Sequence, residues 1–266
     1  MDLSGRVALV TGASTGIGEA ACRVLARRGA RVLLVARSAD TLESVAGAIR
    51  AAGGRAQAFP TDVGDVAAVA ELKERVQAEV GVPDVIVNNA GQGRFLFIDE
   101  TDPAELTGMT DVPYHAAFFV TRAFIDGMLA RRSGWIVNVN TPAAFAPWPG
   151  ALGYASARWA VRGFTEALRV DLHGTGIGVS QVVPGKVSSA YFDHNPGAEQ
   201  RIPRIGKLIR TLTPEQAGEA IADAVEHERG DVFVPFELRV MMLQARLMPG
   251  VTRRLMALTG SRRPQA

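Results

Sequence analysis

Seven short runs punctuate the chain, at residues 6–10, 31–36, 55–59, 84–87, 135–139, 178–183 and 231–234, all but 55–59 rich in Val, Ile or Leu. Between them lie longer stretches whose apolar positions recur every three to four residues, at 19–28, 39–52, 65–80, 103–131, 154–173 and 214–228. The first set reads as strands and the second as amphipathic helices. Strands that are apolar almost without interruption are covered on both faces, as in a parallel sheet. Regular alternation of the two patterns predicts repeated βαβ units with right-handed crossovers, hence a three-layer, doubly wound α/β fold with a parallel sheet of about seven strands. Helix ends agree. Gly29 follows two arginines at the end of the first helix, and Thr213-Pro214-Glu215-Gln216 has the form of a capped helix start.

Composition narrows the picture modestly. The chain has 266 residues, 47% of them hydrophobic, and no Pro/Gly/Ser-rich linker divides it, so a single domain is expected. We place that domain at 1–235 and a basic helical extension, packed on it, at 236–266. A net charge of +2 says little about partners, and no basic face concentrates in the body of the chain, which sets nucleic acid aside. Cys22 is the single cysteine, so no internal disulfide forms, as in a cytoplasmic protein. The four histidines have no metal-binding spacing, and no metal is expected. Neither a signal peptide nor a transmembrane run is expected.

The chemistry begins in Thr11-Gly-Ala-Ser-Thr-Gly-Ile-Gly18, which joins the first strand to the first helix. Glycines at 12, 16 and 18 permit a tight turn and a close backbone approach to phosphate, and a helix N-terminus offers free N–H groups and partial positive charge. Gly12, Ser14, Thr15, Gly16, Ile17 and Gly18 are therefore candidate cofactor contacts. The second strand ends Val35-Ala36-Arg37-Ser38, with no acid to hold a ribose 2′-hydroxyl. An arginine there accommodates a 2′-phosphate, so NADP(H) is expected rather than NAD(H).

With the loop, the strand pattern and Tyr154-x-x-x-Arg158 together, the chain resembles the short-chain dehydrogenase/reductase family over roughly residues 3–235. Asp62-Val63 matches the pair that contacts adenine there, and Asn88-Asn89-Ala90-Gly91 matches the segment that steadies the sheet and lines the cofactor cleft. Pro184-Gly185 opens the stretch beside the nicotinamide, with Val187 and Ser189 at its contact positions. The resemblance implies a Rossmann-like fold, hydride transfer between a nicotinamide and a carbonyl or alcohol carbon, and a homodimer or homotetramer.

The catalytic set departs from the family's Asn, Ser, Tyr and Lys. Tyr154 is kept. Thr141 stands for the serine, Arg158 for the lysine, and Pro113 for the asparagine, within Asp111-Val112-Pro113. A tyrosine hydroxyl titrates near ~10 unaided and needs a neighbouring positive charge to act near neutrality. Residues four apart on a helix share a face, so Arg158 can supply that charge, although it cannot give up its own proton. Thr141 keeps a hydroxyl for the substrate oxygen, and Asn140 beside it is another donor. Pro113 loses the amide but bends a helix by itself. Lys186 offers a substitute charge near the cleft, or is a solvated loop residue. Two readings follow: a working reductase with a rewired proton route through Tyr154, Thr141, Arg158 and water, or a cofactor-binding protein with lost or non-redox chemistry.

Phe95, Phe97, Phe145, Pro147, Trp148 and Leu152 should wall an apolar pocket suited to a small hydrophobic ketone or alcohol. The resemblance places a substrate lid at 188–210, carrying Tyr191, Phe192, Arg201, Arg204, Lys207 and Arg210; its bases are either solvated or able to meet an acidic group. The extension carries six arginines against Glu237 alone, with its apolar positions broken at Pro249-Gly250. It reads as a helical pair covering the cleft or a subunit interface, or as a basic amphipathic surface for an anionic membrane or a partner.

Overall fold

A computed structural model describes residues 1–189, 191–192 and 195–263. Strands β1 (Val7–Thr11), β2 (Arg31–Ala36), β3 (Arg55–Pro60), β4 (Val85–Asn88), β5 (Gly134–Val139), β6 (Ile177–Pro184) and β7 (Asp231–Val234) form one sheet in the order β3-β2-β1-β4-β5-β6-β7. Every pairing is parallel. The order reverses between β1 and β4, and the crevice outside that reversal is where open α/β sheets bind ligands.

Alternate strand residues point to opposite faces and build two cores. Ala8, Val10, Val32, Leu34, Val85 and Val137 pack against α1 (Gly16–Arg27), α2 (Ala39–Ala51) and α7 (Pro214–Glu226). Leu9, Leu33, Val35, Ile86 and Ile136 pack against α3 (Val66–Glu79), α5 (Ala116–Arg131) and α6 (Leu152–Asp171). Helices α1 and α7 meet closely because Gly218 has no side chain: a Cβ there would stand 3.0 Å from the backbone of Ala20. Arg27 and Arg28 then reach Glu215, Glu219, Asp223 and Glu226 across the seam. Thr213 and Gln216 bond reciprocally at the start of α7, the capped start its sequence predicts. Cys22 is wholly buried in the first core, and burial pushes its thiol far up, so it stays protonated and inert.

The expected long helix at 103–131 is two helices, α4 (Pro103–Thr110) and α5, joined by one wide turn at Asp111–His115. Buried Pro113 sits in that turn. Proline has no N–H for the regular ladder, and a turn bonded five residues back absorbs the defect. The extension forms α8 (Phe236–Leu247) and α9 (Pro249–Thr259), divided at Pro249 as the sequence predicts. Among the described residues no helix is long and apolar enough to cross a membrane, and no cluster of side chains could hold a metal.

Candidate active site

The strand ends beside the reversal open into a cavity of about 940 Å³. It is lined by Gly12, Ser14, Thr15, Gly16, Ile17, Arg37, Asp62, Val63, Asn89, Ala90, Gly91, Thr141, Tyr154, Arg158, Pro184, Gly185, Val187 and Ser189. The fold therefore brings together every candidate cofactor-contacting and catalytic residue expected from the sequence except Gly18. That glycine stands behind the loop, where a Cβ would lie 2.1 Å from the Gly12 carbonyl oxygen. Its contribution is to let the loop close on the helix.

The loop is stitched to the end of β4. Thr11 Oγ1 accepts from the backbone N–H groups of Asn89 and Ala90, both at 3.0 Å, and the Asn89 amide donates to the carbonyls of Thr11 (3.0 Å) and Gly12 (3.3 Å). Gly12 and Gly16 have φ of +64° and +59°, a region that other residues adopt at a cost. Thr15 precedes α1 without a side-chain cap, which leaves the first helical N–H groups for a ligand. Arg37 is exposed on the cavity rim and makes no ion pair or hydrogen bond among the described residues. These features fit a dinucleotide: a phosphate cradle at Gly12–Ile17, and an uncommitted guanidinium at the end of β2.

Tyr154 lies in the first turn of α6, buried against Phe95 with ring centres 4.9 Å apart. One turn later Arg158 is also buried, and its guanidinium carbon lies 5.3 Å from the Tyr154 ring centre. Its Nη1 donates to the Val139 carbonyl at 3.4 Å, its Nε has no partner, and no carboxylate pairs with it among the described residues. A buried, incompletely bonded cation is costly, so a cation kept on a cavity wall points to a polar or anionic occupant. Gly91 makes the room, since a Cβ there would lie 2.2 Å from Arg158 Nη2. Thr141 Oγ1 accepts from the Ala143 N–H at 3.5 Å, so its own proton is free. Asn140, by contrast, is fully engaged. Its amide donates to Gln181 Oε1 (2.7 Å) and the Arg158 carbonyl (3.2 Å), and its oxygen accepts from the Thr141 N–H. It fixes the backbone under the site and is no substrate donor.

A second tyrosine faces the same cavity. Tyr191 donates its hydroxyl to the Gly93 carbonyl at 2.7 Å, and burial pushes its phenol far up. It stays protonated and tethers the lid. Below the site, Asn88 donates to Thr121 (3.1 Å) and Asn138 (2.9 Å), and Asn138 donates to Thr165 (2.9 Å), joining α5, β4, β5 and α6 through the core.

A family model described as short chain dehydrogenase matches residues 6–199. The chain belongs to the short-chain dehydrogenase/reductase family. It is 36% identical over 231 residues to the 2,3-dihydro-2,3-dihydroxybenzoate dehydrogenase of Bacillus subtilis, covering 84% of this chain and 88% of that one. Two further relatives, 35% and 33% identical, are matched over only 61% and 39% of their own lengths. A metagenomic short-chain oxidoreductase solved with NADP superposes with a TM-score of 0.74 at 31% identity, covering 88% of this chain and 97% of that one. A Burkholderia phymatum short-chain dehydrogenase/reductase solved with NAD shares the fold over 100% of this chain and 99% of its own, with a TM-score of 0.84 at 22% identity.

At the far end of the cavity this short-chain dehydrogenase differs from its sequence expectation. Phe95, Trp148, Tyr191 and Phe192 do line it, but Phe97, Phe145, Pro147 and Leu152 do not. Phe97, Pro147 and Leu152 face a second groove, with Trp159, Arg253 and Arg263, while Phe145 packs on Phe233 beneath the Arg162 guanidinium. The wall is completed by Leu238, Met241 and Met242 of α8, Met256 of α9, and Ile202, Ile205 and Ile209 of the lid. The extension thus covers the cleft. Trp148 Nε1 is buried there without a partner.

The lid bases Arg201, Arg204, Lys207 and Arg210 do not line the cavity, and Arg201 pairs with Glu100 and lies over Phe97. Lys186, just before the lid, does line it, but pairs with Glu199 and lies over Phe192. Arg201 and the Phe97 N–H together hold the Glu100 carboxyl down at about 2, against an ordinary 4.5. A depressed carboxyl adds stability that is full above its ordinary value and lost as the pH falls toward the depressed one. Protection of residues 199–208 from hydrogen exchange, corrected for intrinsic rates, should decline from about pH 4.5 toward about 2. Glu100→Gln should show the same loosening already at neutral pH. Unchanged protection in that variant would mean that the pair does not hold the lid.

Proposed function

We propose that this enzyme transfers a hydride between NADP(H) and the carbonyl or alcohol carbon of a small hydrophobic substrate, with Tyr154 as acid and base. The observation that carries the reading is a single cavity holding the phosphate cradle, the free Arg37 and the Tyr154–Arg158 pair. When bound, the nicotinamide supplies or accepts the hydride. Tyr154 gives its hydroxyl proton to the substrate oxygen in reduction and takes it back in oxidation. Thr141 donates to the same oxygen and orients it. Arg158 places a permanent charge beside the tyrosine, but it relays no proton of its own. Pro113 keeps the backbone turn of the family's asparagine without the amide, so the proton returns to Tyr154 through water rather than through a side-chain relay. The apolar far wall, with Trp148 as its unmade donor, suits a mainly hydrocarbon substrate. Assembly as a cytoplasmic homodimer or homotetramer is part of this reading.

The test is oxidation of NADPH and NADH across a panel of apolar ketones, with wild type and Arg37→Ala compared. Charge-assisted bonds to phosphate are worth roughly 1.5–3 kcal/mol, less where exposed, so Arg37→Ala should raise the KM for NADPH about tenfold. The KM for NADH should stay unchanged. Equal effects on the two cofactors would remove Arg37 from the 2′-phosphate and reopen the choice of cofactor.

A further inference from the structure

We infer that the outer face of the α8–α9 hairpin docks on an anionic phospholipid bilayer. Helix α8 carries two apolar stripes. Leu238, Met242 and Ala245 are buried against the body. Phe236, Val240, Leu243 and Leu247 are 70%, 53%, 58% and 71% exposed. At 100° per residue these four fall within one narrow arc, about 180° from the buried stripe. Met248 at the break, and Val251 and Leu258 on one face of α9, are 52%, 50% and 73% exposed. Scattered exposed apolar residues are ordinary, but exposed apolar rows on two successive helices, with Met248 between them, make a surface suited to be covered.

The charge around the row says by what. Arg239 and Arg246 lie along one flank of the α8 stripe, and Arg254 holds the matching place on α9. All three are exposed and have no carboxylate partner among the described residues. From 236 to 263 six arginines face a single acid, Glu237. A second copy of the chain would bring like charges together across a two-fold axis, whereas an anionic lipid surface answers them. Apolar side chains in the acyl boundary with arginines at headgroup level is the pattern of interfacial helices. The inner faces of the same helices wall the cavity, so docking would set that wall beside the lipid. The inference does not depend on the reaction proposed above, because its readout is binding alone.

The experiment is flotation of the full chain with vesicles of mixed phosphatidylglycerol and phosphatidylcholine, and with phosphatidylcholine alone. Wild type should float with the anionic vesicles, weakly or not at all with the neutral ones, and less at about 0.5 M salt. Arg239→Gln/Arg246→Gln/Arg254→Gln should weaken binding about a hundredfold, at about fivefold per arginine near the surface. Leu243→Glu/Leu247→Glu should abolish it while leaving cofactor binding intact, since neither side chain reaches the cavity. Wild type that fails to float, or leucine variants that float as well as wild type, would overturn the inference. So would a wild-type dimer that Leu243→Glu/Leu247→Glu splits into monomers with no vesicle binding in either form, which would assign the face to a second copy.

Discussion

Tyr154→Phe should lose ketone reduction by about 10²–10⁴-fold in kcat, the range supplied by a positioned acid, while keeping its affinity for NADPH. The loss should fall on kcat and kcat/KM together, because the phenol proton moves only in the transition state. Phenylalanine keeps the contact with Phe95 and the buried volume, so the fold has no reason to change. Tyr191→Phe is the internal control. It removes a tether to the Gly93 carbonyl and should move KM more than kcat. If Tyr154→Phe turns over like wild type, Tyr154 is a wall residue. If neither protein turns over any ketone while both bind NADPH tightly, the altered catalytic set no longer performs the redox step.

The second large effect concerns a residue with no functional group. Gly91→Ala introduces a methyl group where the Arg158 guanidinium already lies, 2.2 Å from Nη2 and 3.0 Å from Cζ. The backbone of Gly91 does not require glycine, since its φ lies outside the left-handed region, so the whole penalty falls on the arginine. Turnover should drop about tenfold or more as the charge is pushed away from Tyr154. Arg158→Lys should raise turnover or shift the pH optimum, because a slim ammonium can sit where the fork cannot. The double variant Gly91→Ala/Arg158→Lys should recover most of what Gly91→Ala alone loses. An additive loss in the double variant would show that Gly91 and Arg158 act independently.

The alternation of apolar runs with helical periods reveals the layers and the strands, because both signals are local. It also brings out the phosphate loop, whose glycines are set by neighbours in sequence as much as by the ligand. What it misses depends on distance in sequence or on direction in space. Arg201 looks like a free lid base until the fold supplies Glu100, one hundred and one residues away. Leu152 and Tyr154 are only two positions apart, but two residues on a helix turn through about 200°, so only one can face the cavity. Asn140 carries the right functional group, yet Gln181, from the neighbouring strand, claims its amide. The break at Asp111–His115 is hidden by an unbroken apolar period on either side, with Pro113 its single mark. The apolar period of 236–259 offers a helical pair over the cleft or at a subunit interface, and only the fold decides that α8 and α9 roof the cavity.

That roof has a consequence for selectivity. Three of its side chains, Met241, Met242 and Met256, are unbranched thioethers with three rotatable bonds each. Branched aliphatic walls hold one outline and reject molecules that do not match it. A methionine wall re-forms around what enters, so it discriminates by volume and polarity more than by contour. The enzyme should therefore rank ketones of similar size and different branching within a narrow span of kcat/KM, and exchanging these methionines for isoleucine should widen that span.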